Sequence, residues 1–69
     1  MGKILKVLRA KYDFTQDKMA MRLGVSRATY CKIENDKAKG SLDFWLGVIR
    51  AFSEVEAEVM EKLKERAEA

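Results

Sequence analysis

Proline and histidine are absent from these 69 residues, cysteine occurs once, and four glycines are scattered along the chain. A single cysteine, Cys31, excludes an intrachain disulfide. With no histidine beside it, the four Cys and His ligands of an ordinary zinc site cannot be assembled, and no metal or cofactor is expected. There is also no glycine-rich phosphate loop and no acid and nucleophile pair placed for a common pocket, which argues against an enzyme. No apolar run approaches the roughly 20 residues of a membrane span. The opening segment MGKILKVLRA is too charged and interrupted to resemble a signal peptide, so a reduced, cytoplasmic setting is expected. Without proline, and without strand-like alternation, the recurrent three-to-four spacing of apolar residues predicts an all-α chain.

What is present suits one small domain spanning 1–69, since 48% hydrophobic content in 69 residues leaves no room for a second core. A core of that size usually supplies only about 3 to 5 kcal/mol, so dimerisation or very regular helix packing is expected to support it. The net charge is +3, unevenly placed. Residues 1–53 carry eleven Lys and Arg against five Asp and Glu, a net of +6, and residues 54–69 carry three against six, a net of −3. A positive surface attracts phosphate backbones, although many soluble domains are equally basic.

A first helix is predicted from about Lys3 to Tyr12, with Ile4, Leu5, Leu8 and Tyr12 on one stripe, ending near Asp13 and Phe14. Thr15 then caps a second helix whose Gln16, Met19, Ala20 and Leu23 share a face while Lys18, Met21 and Arg22 turn away. Gly24 supplies the positive φ of a tight turn, Val25 plugs it, and Ser26 caps a third helix. At 100° per residue Tyr30 and Ile33 point inward, flanked by Thr29 and Glu34. The opposite face carries Ala28, Cys31, Lys32 and Asn35, with Arg27 beside them. Residues 16–35 therefore read as a helix-turn-helix, which makes double-stranded DNA the leading partner. A helix in a major groove needs small residues for close approach, Arg for guanine, and Lys for a base or phosphate. An ordinary solvated helix face has a similar composition, and on the third helix alone that reading is preferred.

Residues Leu8 to Phe52 resemble the Cro and phage-repressor family of helix-turn-helix regulators. The resemblance is carried by Arg9, the pair Thr15 and Gln16, then Ala20, Leu23, Gly24, Val25, Ser26 and the run RATYCKIEN ending at Asn35. Ser41 to Phe52 resembles that family's fourth helix. The resemblance implies a compact five-helix, lambda-repressor-like fold and a sequence-specific transcriptional regulator, often dimeric. By position it implies base contacts from Arg27, Ala28 and Lys32, and phosphate contacts from Gln16, Asn35, Lys37 and Lys39. It also implies a structural salt bridge between Arg9 and Glu34. Three positions depart from the family pattern: Asp36 replaces a frequent glycine, Gly40 a common proline, and Tyr30 a core Ile or Val.

The fourth helix, SLDFWLGVIRAF, is apolar on more than one face. Leu42, Trp45, Ile49 and Phe52 suffice for the core, leaving Phe44, Val48 and Ala51 as a second stripe. A last helix of about 54–69 is signalled by a Ser53 and Glu56 capping box and by Val55, Val59, Leu63 and Ala67 at four-residue spacing, with Glu58 and Lys62 as an i,i+4 pair. No Gly or Pro separates the two helices, so continuity between them stays open. A homodimer interface is expected at Phe44, Val48, Val59 and Leu63, the alternative being that the last helix simply covers them. The chain is thus read as a repressor- or Cro-like DNA-binding protein, a homodimer on a near-palindromic operator. The alternative is a protein-interaction module of the same fold, such as an antitoxin or adaptor, acting through the last helix. Cys31 is either a redox switch or, more simply, a small residue.

Overall fold

The computed structural model describes residues 1–68; Ala69 and the side chain of Glu68 lie outside the description, and with them the end of the expected 54–69 helix. The fold is all-α: five α-helices and one 3-10 turn, with no strand among the described residues. None of these helices is long and apolar enough to cross a membrane. The chain forms two units, residues 1–39 and 40–69.

The first unit contains α1 (Gly2–Tyr12), α2 (Gln16–Leu23) and α3 (Arg27–Glu34), with α3 packed against both others. Ile4, Leu5 and Leu8 of α1, Met19 and Ala20 of α2, and Tyr30 and Ile33 of α3 are buried. Met21 is 78% exposed, on the face turned away. Tyr12 leaves the expected α1 stripe: it is exposed, its ring 5.7 Å from that of Phe14 and beneath the Lys11 ammonium at 5.5 Å. It lies in the last turn of α1, where the chain reverses through Asp13.

All three helices of this unit end on a left-handed residue, and only one of those is glycine. Asp13, Gly24 and Asp36 have φ of 56°, 71° and 58°. In each case two amides return to carbonyls of the last turn. Phe14 N–H donates to Arg9 O (2.9 Å), Val25 N–H to Ala20 O (3.0 Å) and Lys37 N–H to Lys32 O (2.8 Å), the long bond of a Schellman motif. Aspartate tolerates this conformation better than most non-glycine residues, which is how Asp36 occupies a glycine position.

In the second unit α4 (Leu42–Ala51) packs against the 3-10 turn (Ser53–Val55) and α5 (Glu56–Glu68). Ser41 Oγ caps α4 by accepting from the Phe44 amide at 3.0 Å. The helices are not continuous. Phe52 leaves helical geometry (φ −136°, ψ 77°) and is buried, and the 3-10 turn follows. Ser53 accordingly lies inside that turn, its carbonyl accepting from the Glu56 amide, and is not the cap of a helix starting at Glu54. The i,i+4 partner expected for Lys62 is replaced by Glu65, 3.7 Å away at i,i+3.

Both stripes of α4 contribute to burial in the single chain, which leaves little of the expected dimer interface accessible. Phe44, Val48 and Val59 are buried together with Trp45 and Phe52, and the Phe44 ring meets Trp45 edge-on at 5.1 Å. Of the four residues assigned to an interface only Leu63 is partly accessible. Conversely Leu42, expected in the core, is 59% exposed and Ile49 is half-buried. With the inward face of α4 centred between Phe44 and Trp45, Leu42 at the helix start falls about 110° away from it at 100° per residue.

Candidate nucleic-acid interface

The helix-turn-helix is built by short-range devices that position α3. Thr15 Oγ1 accepts from the Lys18 amide (3.1 Å) to start α2, and Ser26 Oγ accepts from the Thr29 amide (3.1 Å) to start α3. The Ser26 hydroxyl also donates to Thr29 Oγ1 at 2.9 Å. Each such cap satisfies one of the amides a helix start leaves unpaired, typically about 1 kcal/mol.

With Tyr30 and Ile33 buried, the remaining positions of α3 fall outward. Arg27, Ala28, Lys32 and Asn35 are exposed, Thr29 is exposed at the flank, and Cys31 is a free thiol, half-buried at the margin. Beyond α3, Lys37 and Lys39 are exposed in the loop that follows. One exposed surface thus runs from the first turn of α3, where Arg27 stands, to the lysines after its end.

Glu34, expected at a flank, is buried, 1% exposed, and it organises the unit. Its Oε1 accepts from Arg9 Nε at 2.9 Å and its Oε2 from Gln16 Nε2 at 2.9 Å. Arg9 also donates from Nη1 to Phe14 O at 3.1 Å, tying the α1 end to the same group. A carboxylate out of water needs such partners, since losing one leaves an uncompensated buried charge. The hydrogen bond to Glu34 raises the Arg9 guanidinium above its ordinary value, so the guanidinium keeps its charge. Gln16 therefore braces α3 with one amide hydrogen, and its second hydrogen is left for another acceptor.

Next to this network lies the Tyr30 hydroxyl, buried and without a hydrogen-bond partner among the described residues. Burial, and then the nearby Glu34 charge, push the phenol well above its usual range, so it keeps its proton. Tyr30 is a packing residue and its ring does not reach the exposed face.

Two features escaped the sequence. The first is at the end of α3, where Asp36 Oδ1 accepts from the Gly2 amide at 2.9 Å and pairs with the Met1 ammonium at 3.4 Å. These contacts, the Gly2 hydrogen bond first, lower the Asp36 carboxyl below its ordinary value. Gly2 makes the approach possible, because a Cβ there would run into the Glu34 carbonyl oxygen. The second is an ion pair at the start of α3, Arg27 Nε to Asp17 Oδ1 at 3.4 Å. Asp17 could be read locally as a first-turn acid of α2, but no local pattern tells which cation it faces.

No group of three or more His, Cys, Asp or Glu residues suited to a metal ion exists among the described residues. An exposed row of Arg, Ala, Lys and Asn on a short, well-capped helix can accept hydrogen bonds from base edges and donate to them, and the flanking lysines can neutralise phosphates. A family model described as a helix-turn-helix domain matches residues 2–66. No curated protein matches the chain, and no solved structure does.

Proposed function

The chain belongs to the helix-turn-helix domain family, and we propose that it is a repressor- or Cro-like regulator that reads double-stranded DNA with α3 in the major groove. The observation that carries this reading is the solvent-facing row of Arg27, Ala28, Lys32 and Asn35 on a helix anchored from behind through Glu34. Arg27, Ala28 and Lys32 meet base edges, Arg27 with the fork that suits guanine O6 and N7. Gln16, Asn35, Lys37 and Lys39 meet phosphates and set register.

The active form is a homodimer on a near-palindromic site, with two α3 helices roughly 34 Å apart, one turn of B-DNA. Since Phe44, Val48 and Val59 are buried in one chain, the contact uses what is accessible beside them: the open groove lined by Leu42, Leu63 and Ala67, with exposed Met60.

Selection of bound sites from random duplexes tests binding, specificity and half-site spacing together. Arg27→Ala relaxes preference at one base position and costs about 1 to 3 kcal/mol, whereas Lys39→Ala weakens all sequences alike. Equal affinity of wild type and Arg27→Ala for every selected duplex overturns the base-reading role. A single, unpaired half-site in all selected duplexes, with a monomeric mass on DNA, overturns the dimer.

A further inference from the structure

We propose that Asp17 is a specificity-determining residue that acts through Arg27, an inference that rests on the DNA-binding reading above. Arg27 is the first residue of α3 and Asp17 the second of α2, so the turn at Gly24 brings them together across the front of the motif. Arg27 Nε stands 3.4 Å from Asp17 Oδ1, and the two side chains are 63% and 64% exposed. Both are therefore accessible on the side of the motif from which Arg27 would enter the groove.

Two consequences follow from the chemistry of the pair. A guanidinium presents five N–H donors in a rigid fork. When a carboxylate faces Nε, the stem is held from the side and the terminal Nη1 and Nη2 edge remains for the bidentate contact that guanine rewards. At the same time the carboxylate partly cancels the Arg27 charge and repels phosphate, whatever the sequence. Asp17 thus weakens attachment to every duplex and improves presentation of Arg27 to one base. The repulsion lowers specific and non-specific affinity alike and cancels in their ratio, so the ratio is widened by the presentation of Arg27 alone.

The isosteric Asp17→Asn removes the charge while keeping the size of the side chain. Wild type, Asp17→Asn, Arg27→Ala and the double variant are titrated with a selected duplex and a scrambled duplex at several salt concentrations. Thermal melting of each verifies that the fold is retained. Asp17→Asn is expected to bind the scrambled duplex more tightly and to lower the ratio of specific to non-specific affinity by about two- to fivefold, the effect an exposed ion pair supports. In the Arg27→Ala background the same change still tightens non-specific binding but leaves the ratio unaltered. Asp17→Glu, which restores the charge, recovers part of the ratio. If Asp17→Asn shifts both duplexes by the same factor in both backgrounds, Asp17 is only a distant charge and the proposal fails. If wild type discriminates between the duplexes and Asp17→Asn discriminates equally well, the proposal fails while DNA reading stands. Absence of binding to any duplex by wild type overturns the DNA-binding reading and this proposal with it.

Discussion

Gly2→Ala should destabilise the protein, although alanine is the better helix former. A Cβ on Gly2 would overlap the Glu34 carbonyl oxygen and lie 2.8 Å from both the Glu34 carbonyl carbon and the Ile33 carbonyl oxygen. All three are backbone atoms of the last turn of α3, so no side chain can swing aside. Relief requires the start of α1 to move off α3 by on the order of 1 Å, since overpacked sites relax through backbone shifts. That displacement stretches the 2.9 Å bond from the Gly2 amide to Asp36 beyond hydrogen-bonding range. Overpacking of this kind costs about 1 to 3 kcal/mol, and the propensity gain of alanine over glycine, below about 1 kcal/mol, offsets only part of it. Urea titration of wild type and Gly2→Ala measures the difference directly. A further comparison isolates the cause: Asp36→Gly, which deletes the carboxylate while keeping a residue suited to positive φ, should cost less in the Gly2→Ala background than in wild type. A Gly2→Ala protein as stable as wild type, or more so, refutes the close approach of α1 to α3.

Two other outcomes follow from the same unit. Tyr30→Phe deletes a buried hydroxyl that has no partner among the described residues, so thermal melting should show no loss of stability and a gain of up to about 1 kcal/mol; a clear loss would mean that the hydroxyl is bonded in solution. The Asp36 carboxyl is lowered in the folded state, so its contribution is fully present above the unfolded value of about 3.9 and is lost as pH falls through the folded value. The stability gap between wild type and Asp36→Asn should therefore be constant from pH 7 to 5 and narrow below about pH 4; a gap that widens there contradicts the sign.

The parts of this fold legible in the sequence are those decided within a few residues. Thr15, Ser26 and Ser41 cap helices by bonds that span three positions, and Gly24 marks a turn because its φ of 71° is costly for other residues. The outward face of α3 follows from helical geometry once Tyr30 and Ile33 point inward. The break at Phe52 had no such sign, because no Gly or Pro accompanies it and the departure from helix serves the burial of one ring. The two apolar stripes of α4 were visible, but periodicity tells how many faces are apolar and says nothing of what covers them. Val59 on α5 is buried along with Val48, so the surplus stripe was core.

The candidate interface divides along the same line, and the division bears on how its specificity is set. Arg27, Ala28, Lys32 and Asn35 can be placed outward from a single helix, because exposure of a face is a local property. Which charge stands in front of Arg27 depends on a second helix arriving at a particular angle, and Glu34 helps to hold that angle, its two oxygens accepting from Arg9 of α1 and Gln16 of α2. Asp17 is the next residue after Gln16 and so is carried to its place by the same bond. A substitution at Glu34 would therefore disturb more than packing: releasing Gln16 lets the start of α2 move, and with it the 3.4 Å pair at Arg27. The buried carboxylate and the exposed ion pair are thus two ends of one linkage, and the orientation of Arg27, the arginine proposed to read a base, is set in part from the interior of the unit.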